Sequence, residues 1–275
     1  MANAVYPCYY IVMDDYLEFA KRIALQAGDI MLEHFHAEVE HREKADKTIV
    51  TVADEAINQM VIDEVEKAYP DHSVFGEEAS TDKQSELAWV CDPIDGTVPY
   101  ANGAPVSVFS LALVKDGEPI IGVVYEPFMK RMYSAKKGEG AFLNNEPISV
   151  SNLGLERHAT LNIEWWPEAE YDIDTALHNI SLDTKAYVLH LGCVVNAACW
   201  VAWGRYEACV FAGTKGKNVD IAAVKVIVEE AGGKVTDING NEQRYDGDIN
   251  GAIISNGKIH DELVAKIKEQ LLLNT

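Results

Sequence analysis

Hydrophobic residues in the first quarter of the chain recur with the spacing of helices. Between about residues 14 and 36, apolar side chains return every three or four positions, at Ala20, Ile23, Ala24, Ala27, Ile30 and Met31. A charged segment at 40–47 follows and predicts a mobile loop or a hairpin. A second helix is predicted to begin at Thr51 and to end near Tyr69, because the residue before a proline avoids the helical conformation.

The pattern changes to strands and turns in the next part of the chain. A buried strand is predicted at 87–92, where an apolar run ends in Asp92. Three further strands, separated by turns at 115–118 and 127–130, are predicted at 106–114, 119–126 and 131–135.

Strands and helices alternate beyond about residue 152. The predicted strands lie near Leu161 and at 186–191, 234–237 and 252–255. The predicted helices lie at about 169–180, 194–203, 220–231 and 260–272. This order predicts layers of α and β structure, with an antiparallel-rich first half and a mixed second half.

Composition restricts the classes of partner. The 275 residues can form one large domain or two closely packed halves. The 44 acidic and 23 basic residues give a net charge of −21, which argues against nonspecific binding to nucleic acid or to anionic membranes.

The five cysteines are odd in number and form no CxxC pair, which predicts a reducing cytoplasm and no required disulfide. Residues 4–13 are apolar but lack a basic leader, so no signal peptide is predicted. No apolar run is long enough to predict a membrane span.

The segment Asp92-Pro93-Ile94-Asp95-Gly96-Thr97 carries the strongest chemical signal. Two carboxylates lie three positions apart after an apolar run, and Pro93 favours a tight turn between them. Gly96 lets backbone N–H groups approach an anion. Carboxylates would repel a phosphate unless a divalent cation lay between them, so the segment predicts a metal site that binds phosphate.

Other acids are candidate ligands for the same metal. Asp54 and Asp220 each lie near the start of a predicted helix, where a lone aspartate is most often a cap, and Glu77-Glu78 read alone is a solvated turn. An all-oxygen set favours Mg²⁺ or Mn²⁺ over zinc. Three or more carboxylates can hold two ions about 3.5–4 Å apart.

Several motifs together resemble the signatures of the inositol monophosphatase family, in the same order and at compatible spacings. They are 44–54, Gly76-Glu77-Glu78, 92–97, and Asp220-Ile221-Ala222-Ala223 followed by Glu230-Ala231-Gly232-Gly233. The resemblance implies a layered αβαβα fold over one phosphatase domain, residues 1–275, with an α+β half at about 1–150 and an α/β half at about 151–275.

The resemblance also implies a role for each matching residue. Glu77, Asp92 and the carbonyl group of Ile94 would bind one Mg²⁺ ion, and Asp92, Asp95 and Asp220 would bind a second. Glu77 would help to hold a weaker third ion, and Mn²⁺ is a possible substitute.

Two further residues would act on the water and the phosphate. Thr97 and Asp54 would orient and deprotonate the attacking water, while the N–H groups of Gly96 and Thr97 would hold the phosphate. The expected protein is a cytoplasmic Mg²⁺-dependent phosphatase that acts on a phosphate monoester of a small polyol or sugar, and is a homodimer, with no nucleic-acid or membrane partner.

The chain departs from the family pattern near the substrate. Val98-Pro99-Tyr100 and Val219 replace the usual residues, and the stretch 210–218 is basic where an acid is common. Lys215 and Lys217 are therefore either contacts for a second anionic group or solvent-facing residues. Inositol phosphate, a sugar phosphate or bisphosphate, and histidinol phosphate all remain open as substrates.

Other classes of protein remain as alternatives. A haloacid-dehalogenase-type phosphatase has one residue between its two acids, whereas this chain has Pro93 and Ile94. A catalytically silent metal-binding homologue would not need Asp54 and Thr97. A nucleotide site at Gly138-Glu139-Gly140 is weakly supported, because neither a full GxGxxG nor a P-loop lysine follows.

Overall fold

The structure, a computed structural model, describes residues 8–35, 39, 41–44, 49–166, 169–215 and 217–273. The helices in this part of the chain are α1 Cys8–His34, α2 Val52–Ala68, α3 Thr97–Ala101, α4 Ile173–Thr184, α5 Val194–Ala202, α6 Asn218–Glu230 and α7 His260–Leu273. None of these described helices is both long and apolar enough to cross a membrane.

The strands include several short ones that the sequence pattern did not predict. They are β1 His41–Glu43, β2 Ile49–Thr51, β3 Ser73–Gly76, β4 Ser80–Thr81, β5 Leu87–Asp95, β6 Val108–Lys115, β7 Glu118–Glu126, β8 Arg131–Lys136, β9 Ala141–Leu143, β10 Glu146–Pro147, β11 Thr160–Ile163, β12 Tyr187–Leu189, β13 Ala208–Lys215, β14 Lys234–Thr236 and β15 Asn250–Ser255.

Two large sheets organise the molecule. The first has eight strands in the order β10-β9-β8-β7-β6-β5-β3-β4, and all its neighbours are antiparallel except the parallel pair β3 and β5. The second has five strands in the order β12-β11-β13-β15-β14. Its first three strands are parallel and its last three antiparallel, so it is mixed as predicted.

Helices cover these sheets in pairs. α1 and α2 pack on one face of the eight-stranded sheet, and α5 and α6 lie between its other face and the five-stranded sheet. α4 and α7 cover the remaining face of the five-stranded sheet. The order of layers is therefore αβαβα, as the family resemblance implied.

Close contact between the middle layers depends on Gly122 in β7. A Cβ atom at this position would lie 2.2 Å from the backbone oxygen of Ala223 in α6, which is far inside van der Waals contact. Only glycine lets the helix lie this near the sheet. This contact fixes the depth at which α6 sits above the sheet.

Several predicted boundaries were wrong. The strand predicted at 87–92 continues through Pro93 to Asp95, because the ladder with β6 tolerates an irregularity between Asp92 and Asp95. α4 begins at Ile173 instead of near residue 169, since Asp172 caps it through the N–H of Thr175. The first helix was predicted at about residues 14–36, whereas α1 begins earlier, at Cys8, and ends at His34. Residue 36 itself lies outside the described residues.

The charged segment at 40–47 forms a hairpin where the structure describes it. His41–Glu43 pairs antiparallel with Ile49–Thr51, which is one of the two outcomes that the sequence predicted. Residues 40 and 45–48 lie outside the described part.

Four cysteines, Cys91, Cys193, Cys199 and Cys209, are free and buried.

Candidate active site

Strand β5 carries the first carboxylate to the centre of the molecule. Its alternate side chains point to opposite faces, so Trp89 and Cys91 pack toward α1 and α2 while Val90 packs toward α5 and α6. Asp92 lies two positions after Val90 and faces the α6 side, where it is 1% exposed. The pleat of the strand thus aims Asp92 at the helix that bears Asp220.

The irregular end of β5 turns the next groups toward the same place. The N–H of Ile94 donates to Asp92 Oδ1 at 3.0 Å, and the carbonyl group of Ile94 accepts from Thr97 Oγ1 at 3.1 Å. The ladder register shifts between Asp92 and Asp95, so the two carboxylates end on one side of the strand. Pro93 therefore acts within the strand and does not end it.

The N-terminus of α5 holds Asp95. Its Oδ2 accepts from the N–H of Val195 at 2.7 Å and from the thiol of Cys193 at 2.7 Å. Burial, together with repulsion from Asp220, raises the pKa of Asp95 to about 8. Because both donors bind Oδ2, Oδ1 is left for another partner. No local sequence signal relates Cys193 to Asp95, because the two residues are far apart in the chain and meet only in the fold.

Asp220 completes a group of three aspartates. It lies in the first turn of α6, and one oxygen each of Asp92, Asp95 and Asp220 lie within 4.8 Å of one another. Asp220 is 2% exposed, and its Oδ2 has no hydrogen-bond partner within the described part of the chain. Burial raises the pKa of Asp220, although attraction by Lys217 opposes the shift.

These three aspartates fit a divalent cation. Burial raises the pKa of Asp92 well above its ordinary value, and repulsion from Glu77 and Asp220 raises it further. Clustered buried carboxylates are stable when a cation neutralises them, and their hard oxygen atoms match Mg²⁺ or Mn²⁺. The buried Oδ2 of Asp220, which has no hydrogen-bond partner among the described residues, is the atom that a bound cation would stabilise most directly.

Glu77 lies beside the group of three aspartates and does not share its 4.8 Å cluster. It follows β3, which runs parallel to β5, and its N–H donates to the carbonyl group of Cys91 at 3.2 Å. Its side chain pairs with Lys44 Nζ at 3.2 Å, and the same lysine contacts Glu78 at 2.5 Å. Parallel pairing of the two strands therefore places Glu77 next to Asp92.

Asp54 and Thr97 approach each other across the site. Thr97 Oγ1 lies 3.4 Å from Asp54 Oδ1, and Asp54 Oδ2 accepts from the N–H and hydroxyl groups of Thr51. Thr51 is the N-cap of α2, and Asp54 occupies the third helical position and completes the capping box. Burial raises the pKa of Asp54 to about 7, despite these hydrogen bonds. Asp54 therefore has both a structural role and a side that faces the site.

Gly96 is the N-cap of α3 and has a backbone conformation that favours glycine. Its φ is 82°, and a Cβ atom would lie 3.1 Å from Cys193 Cβ, from the Gly192 carbonyl oxygen and from Ser107 Oγ. The N–H groups of Gly96 and Thr97 thus lie at the start of a helix beside the aspartates. Any larger residue here would strain the backbone and crowd its neighbours.

The unusual Val98-Pro99-Tyr100 segment forms most of α3. Tyr100 is buried, and its hydroxyl group donates to the carbonyl oxygen of Met31 in α1 at 2.6 Å. Val98 is 54% exposed. The departure from the family pattern is thus partly a packing feature, and only Val98 presents a large exposed side chain.

The structure describes the side chain of Lys217 but only the backbone of Lys215. Lys217 is the N-cap of α6, and its Nζ lies 3.5 Å from Asp220 Oδ1 and 5.2 Å from the centre of the Trp166 ring. The backbone of Lys215 ends β13, but its side chain lies outside the described part of the structure.

Glu164 is a further buried acid that sequence reasoning missed. It follows β11, is 8% exposed, and accepts from Asn162 Nδ2 at 2.9 Å and from the N–H of Gly192 at 3.0 Å. Burial raises its pKa, and its charge in turn raises the pKa of Asp95. A single glutamate after a short apolar run carries no recognisable signal, so only the fold shows its position.

The glycine pair at 138–140 has a structural partner. The N–H groups of Gly138 and Gly140 both donate to the carboxylate of Glu230, each at 2.7 Å. The turn therefore uses its backbone donors to bind the C-terminal end of α6. These two N–H groups are already occupied, which weakens the nucleotide alternative further.

Comparison with known proteins shows the family of this chain. Residues 12–272 match the inositol monophosphatase family. A fructose-1,6-bisphosphatase/inositol-1-monophosphatase of Thermotoga maritima is 34% identical over 259 residues, which are 93% of this chain and 96% of that protein. Inositol monophosphatase 1 of Solanum lycopersicum is 30% identical over 239 residues, 84% of this chain and 87% of that protein. A solved Thermotoga maritima IMPase structure has a TM-score of 0.84 at 32% identity, covering 94% of this chain and 99% of that one. The chain belongs to the inositol monophosphatase family.

Proposed function

We propose that this phosphomonoesterase hydrolyses a small phosphorylated polyol or sugar with the help of two bound Mg²⁺ ions. The observation that carries the proposal is the convergence of three buried aspartates, one with an unpartnered oxygen, beside the N–H groups that begin α3. Phosphoryl transfer depends on positioning and on neutralising charge, and this arrangement offers both.

The proposed ligands divide into two overlapping sets. Glu77, Asp92 and the carbonyl group of Ile94 hold one ion, and Asp92, Asp95 and Asp220 hold the other. A third, weaker ion at Glu77 and the use of Mn²⁺ belong to the same proposal. When bound, the ions supply charge neutralisation at the phosphate and a lowered pKa for water.

Asp54 and Thr97 are the proposed catalytic residues. Thr97 Oγ1 lies between the Ile94 carbonyl group and Asp54, so its hydroxyl group can take a proton from water as it gives its own to Asp54. A carboxylate with a pKa of about 7 suits a general base at neutral pH. The N–H groups of Gly96 and Thr97 orient the phosphate for in-line attack by water.

The relatives indicate the alcohol portion of the substrate. We favour inositol phosphate or a sugar phosphate, because relatives that cover most of the chain are named inositol monophosphatases or fructose-1,6-bisphosphatase/inositol-1-monophosphatase. Histidinol phosphate and sugar bisphosphates are the alternatives, with Lys215 and Lys217 as candidate contacts for a second anionic group.

A phosphate-release assay separates these substrates. The purified protein with Mg²⁺ is given inositol, sugar, nucleotide and histidinol phosphates, and initial rates are compared. We expect the highest kcat/KM for an inositol or sugar monophosphate. Release from none of them, with Mg²⁺ bound, would favour the catalytically silent homologue, and a phosphorylated Asp92 would favour the dehalogenase-type mechanism.

We propose one phosphatase domain, residues 1–275, with halves at about 1–150 and 151–275, that acts as a homodimer in the cytoplasm. The free, buried cysteines are compatible with a reducing compartment. Light scattering coupled to gel filtration tests the dimer.

A further inference from the structure

Lys217 brings an ammonium group into the acidic site. Its Nζ lies 3.5 Å from Asp220 Oδ1, and its side chain is only 20% exposed. Burial lowers the pKa of Lys217, but attraction from Asp220, Glu77, Asp92 and Asp95 outweighs burial and raises the pKa above its ordinary value. Lys217 therefore pairs with Asp220, and the other three proposed metal ligands also attract its charge.

This position is unfavourable for a lysine on local grounds. Lys217 is the N-cap of α6, where its side chain makes no capping hydrogen bond, and a positive charge is disfavoured at a helix N-terminus. Burying an ammonium group is costly unless an opposite charge compensates. The ring of Trp166 covers one side of the ammonium at 5.2 Å, but the carboxylates supply the compensating charge.

Lys225 on the same helix forms an ion pair with short hydrogen bonds and serves as a comparison. Its Nζ donates to Glu242 Oε2 at 2.8 Å and also contacts Glu229, and neither acid belongs to the proposed metal site. The contact of Lys217 with Asp220 is longer, at 3.5 Å, outside the usual hydrogen-bond range. Asp220 Oδ2 has no partner among the described residues. Lys217 thus neutralises charge without saturating the oxygens that a metal would need.

We propose that Lys217 is a tethered cation that stabilises the metal-free site and competes with Mg²⁺ for Asp220. It thereby sets the affinity of the site for the second ion. The inference rests on the proposed function, because it takes Asp220 to be a metal ligand. Removal of the ammonium has two opposite effects: the metal-free carboxylates lose their counter-charge, and Mg²⁺ no longer has to displace or tolerate a nearby cation.

Lys217→Met tests the proposal, because methionine keeps an unbranched apolar stem against Trp166 and removes the charge. Mg²⁺ binding is measured by isothermal titration calorimetry, and thermal unfolding is measured in EDTA. We expect a lower Tm for the metal-free variant and a Mg²⁺ Kd that is tighter by about tenfold. Lys217→Arg keeps the charge and is expected to stay within about threefold of the wild-type Kd.

Lys225→Met is the matched control, since it removes a buried lysine from the same helix. It is expected to lower Tm with and without Mg²⁺ alike and to leave the Mg²⁺ Kd unchanged. A Lys217→Met protein with an unchanged or weaker Mg²⁺ affinity, or with an unchanged Tm in EDTA, overturns the proposal. If Lys217 served only to bind substrate, Lys217→Met would raise KM and would leave the Mg²⁺ Kd and the Tm in EDTA unchanged.

The phosphatase proposal fails in a different assay. If the wild type binds Mg²⁺ but releases phosphate from none of the panel, the proposed function is wrong, while the binding and unfolding data on Lys217→Met still decide the role of the lysine. If the wild type is active and Lys217→Met binds Mg²⁺ like wild type, the role of the lysine is wrong and the phosphatase proposal stands.

Discussion

Asp220 shows at the scale of one residue how burial and function conflict. It lies in the first turn of α6, where an aspartate interacts favourably with the helix dipole, and the sequence alone made a cap the simplest reading. The structure buries it with Asp92 and Asp95 and leaves Oδ2 without a partner in the described part of the chain. An aspartate serving only as a cap would not need two other buried acids beside it.

Asp95→Asn and Asp220→Asn test the metal ligands directly. Each change keeps the size of the side chain and removes a charge, so we expect the fold to remain and phosphate release to fall by at least about 10³-fold, as for loss of a group that stabilises transition-state charge. Mg²⁺ affinity, measured by calorimetry, is expected to fall in parallel.

Asp261→Asn is the control for these substitutions. Asp261 lies in α7, is 90% exposed and pairs with Lys234. Its activity and Mg²⁺ affinity are expected to match those of the wild type. Near-normal activity in Asp95→Asn or Asp220→Asn would contradict the assignment of the site.

At the scale of elements, the site forms where the end of one strand meets the beginnings of three helices. β5 brings Asp92 and Asp95, and Gly96 is the N-cap of α3. The N-terminus of α5 holds Asp95, and α6 carries Asp220. Helix N-termini present N–H donors and a partial positive charge. Their convergence suits both the carboxylates and a phosphate, and it depends on the close approach of α6 to the sheet.

Gly122→Ala tests this dependence from outside the site. The added Cβ would meet the Ala223 carbonyl oxygen at 2.2 Å, so α6 must move away from β7. We expect the free energy of unfolding to fall by about 1–3 kcal/mol, as for overpacking, and Mg²⁺ affinity to weaken because Asp220 moves with the helix. Chemical denaturation and calorimetry measure the two effects.

Gly247→Ala is the matched control, because a Cβ atom there has no neighbour within 4 Å. Its stability and its Mg²⁺ affinity are expected to stay near the wild-type values. If Gly122→Ala bound Mg²⁺ as tightly as the wild type, the depth of α6 would not control the site.

The whole molecule is strongly acidic, and its candidate site is acidic as well. The net charge is −21, and the aspartates of the site have raised pKa values because burial and mutual repulsion disfavour their ionised forms. Without a cation, ionising these groups opposes folding. Stability should therefore depend on pH and on Mg²⁺ together.

The metal-free protein is expected to lose stability as pH rises from 5 to 8. Asp54 and Asp95 have pKa values of about 7 and about 8 when folded, whereas an unfolded aspartate titrates near 4, so the folded chain binds more protons in this range. These two carboxyl groups together should lower the free energy of unfolding by roughly 6 kcal/mol between pH 5 and pH 8.

Thermal unfolding in EDTA across this pH range measures the effect, and Mg²⁺ should reverse part of it. Saturating Mg²⁺ adds about 2.7 kcal/mol at 100 times its Kd, and its affinity rises with pH because protons leave the ligands. A metal-free Tm that stays constant or increases from pH 5 to pH 8 would count against the raised pKa values.

The sequence alone was sufficient for the local chemistry and for most of the elements. The periodicity of α2 and α7 and the alternation in β6, β7 and β8 gave their positions to within a few residues. Short strands such as β3 and β4 were missed because they have few residues and depend on their neighbours for hydrogen bonds. β13 was read as a basic stretch, since its lysine end obscured its apolar start.

The sequence by itself determined which chemical groups are available to the site. They are two acids on either side of Pro93 and Ile94, a glycine and a threonine after them, and distant acids of the kind that bind Mg²⁺. Only the tertiary structure decided which of these groups meet. It joined Asp92, Asp95 and Asp220, attached Cys193 and Val195 to Asp95, and turned Lys217 toward the acids. The reason is physical: side-chain types are local, whereas burial, charge compensation and the depth of α6 arise from packing between elements far apart in the chain.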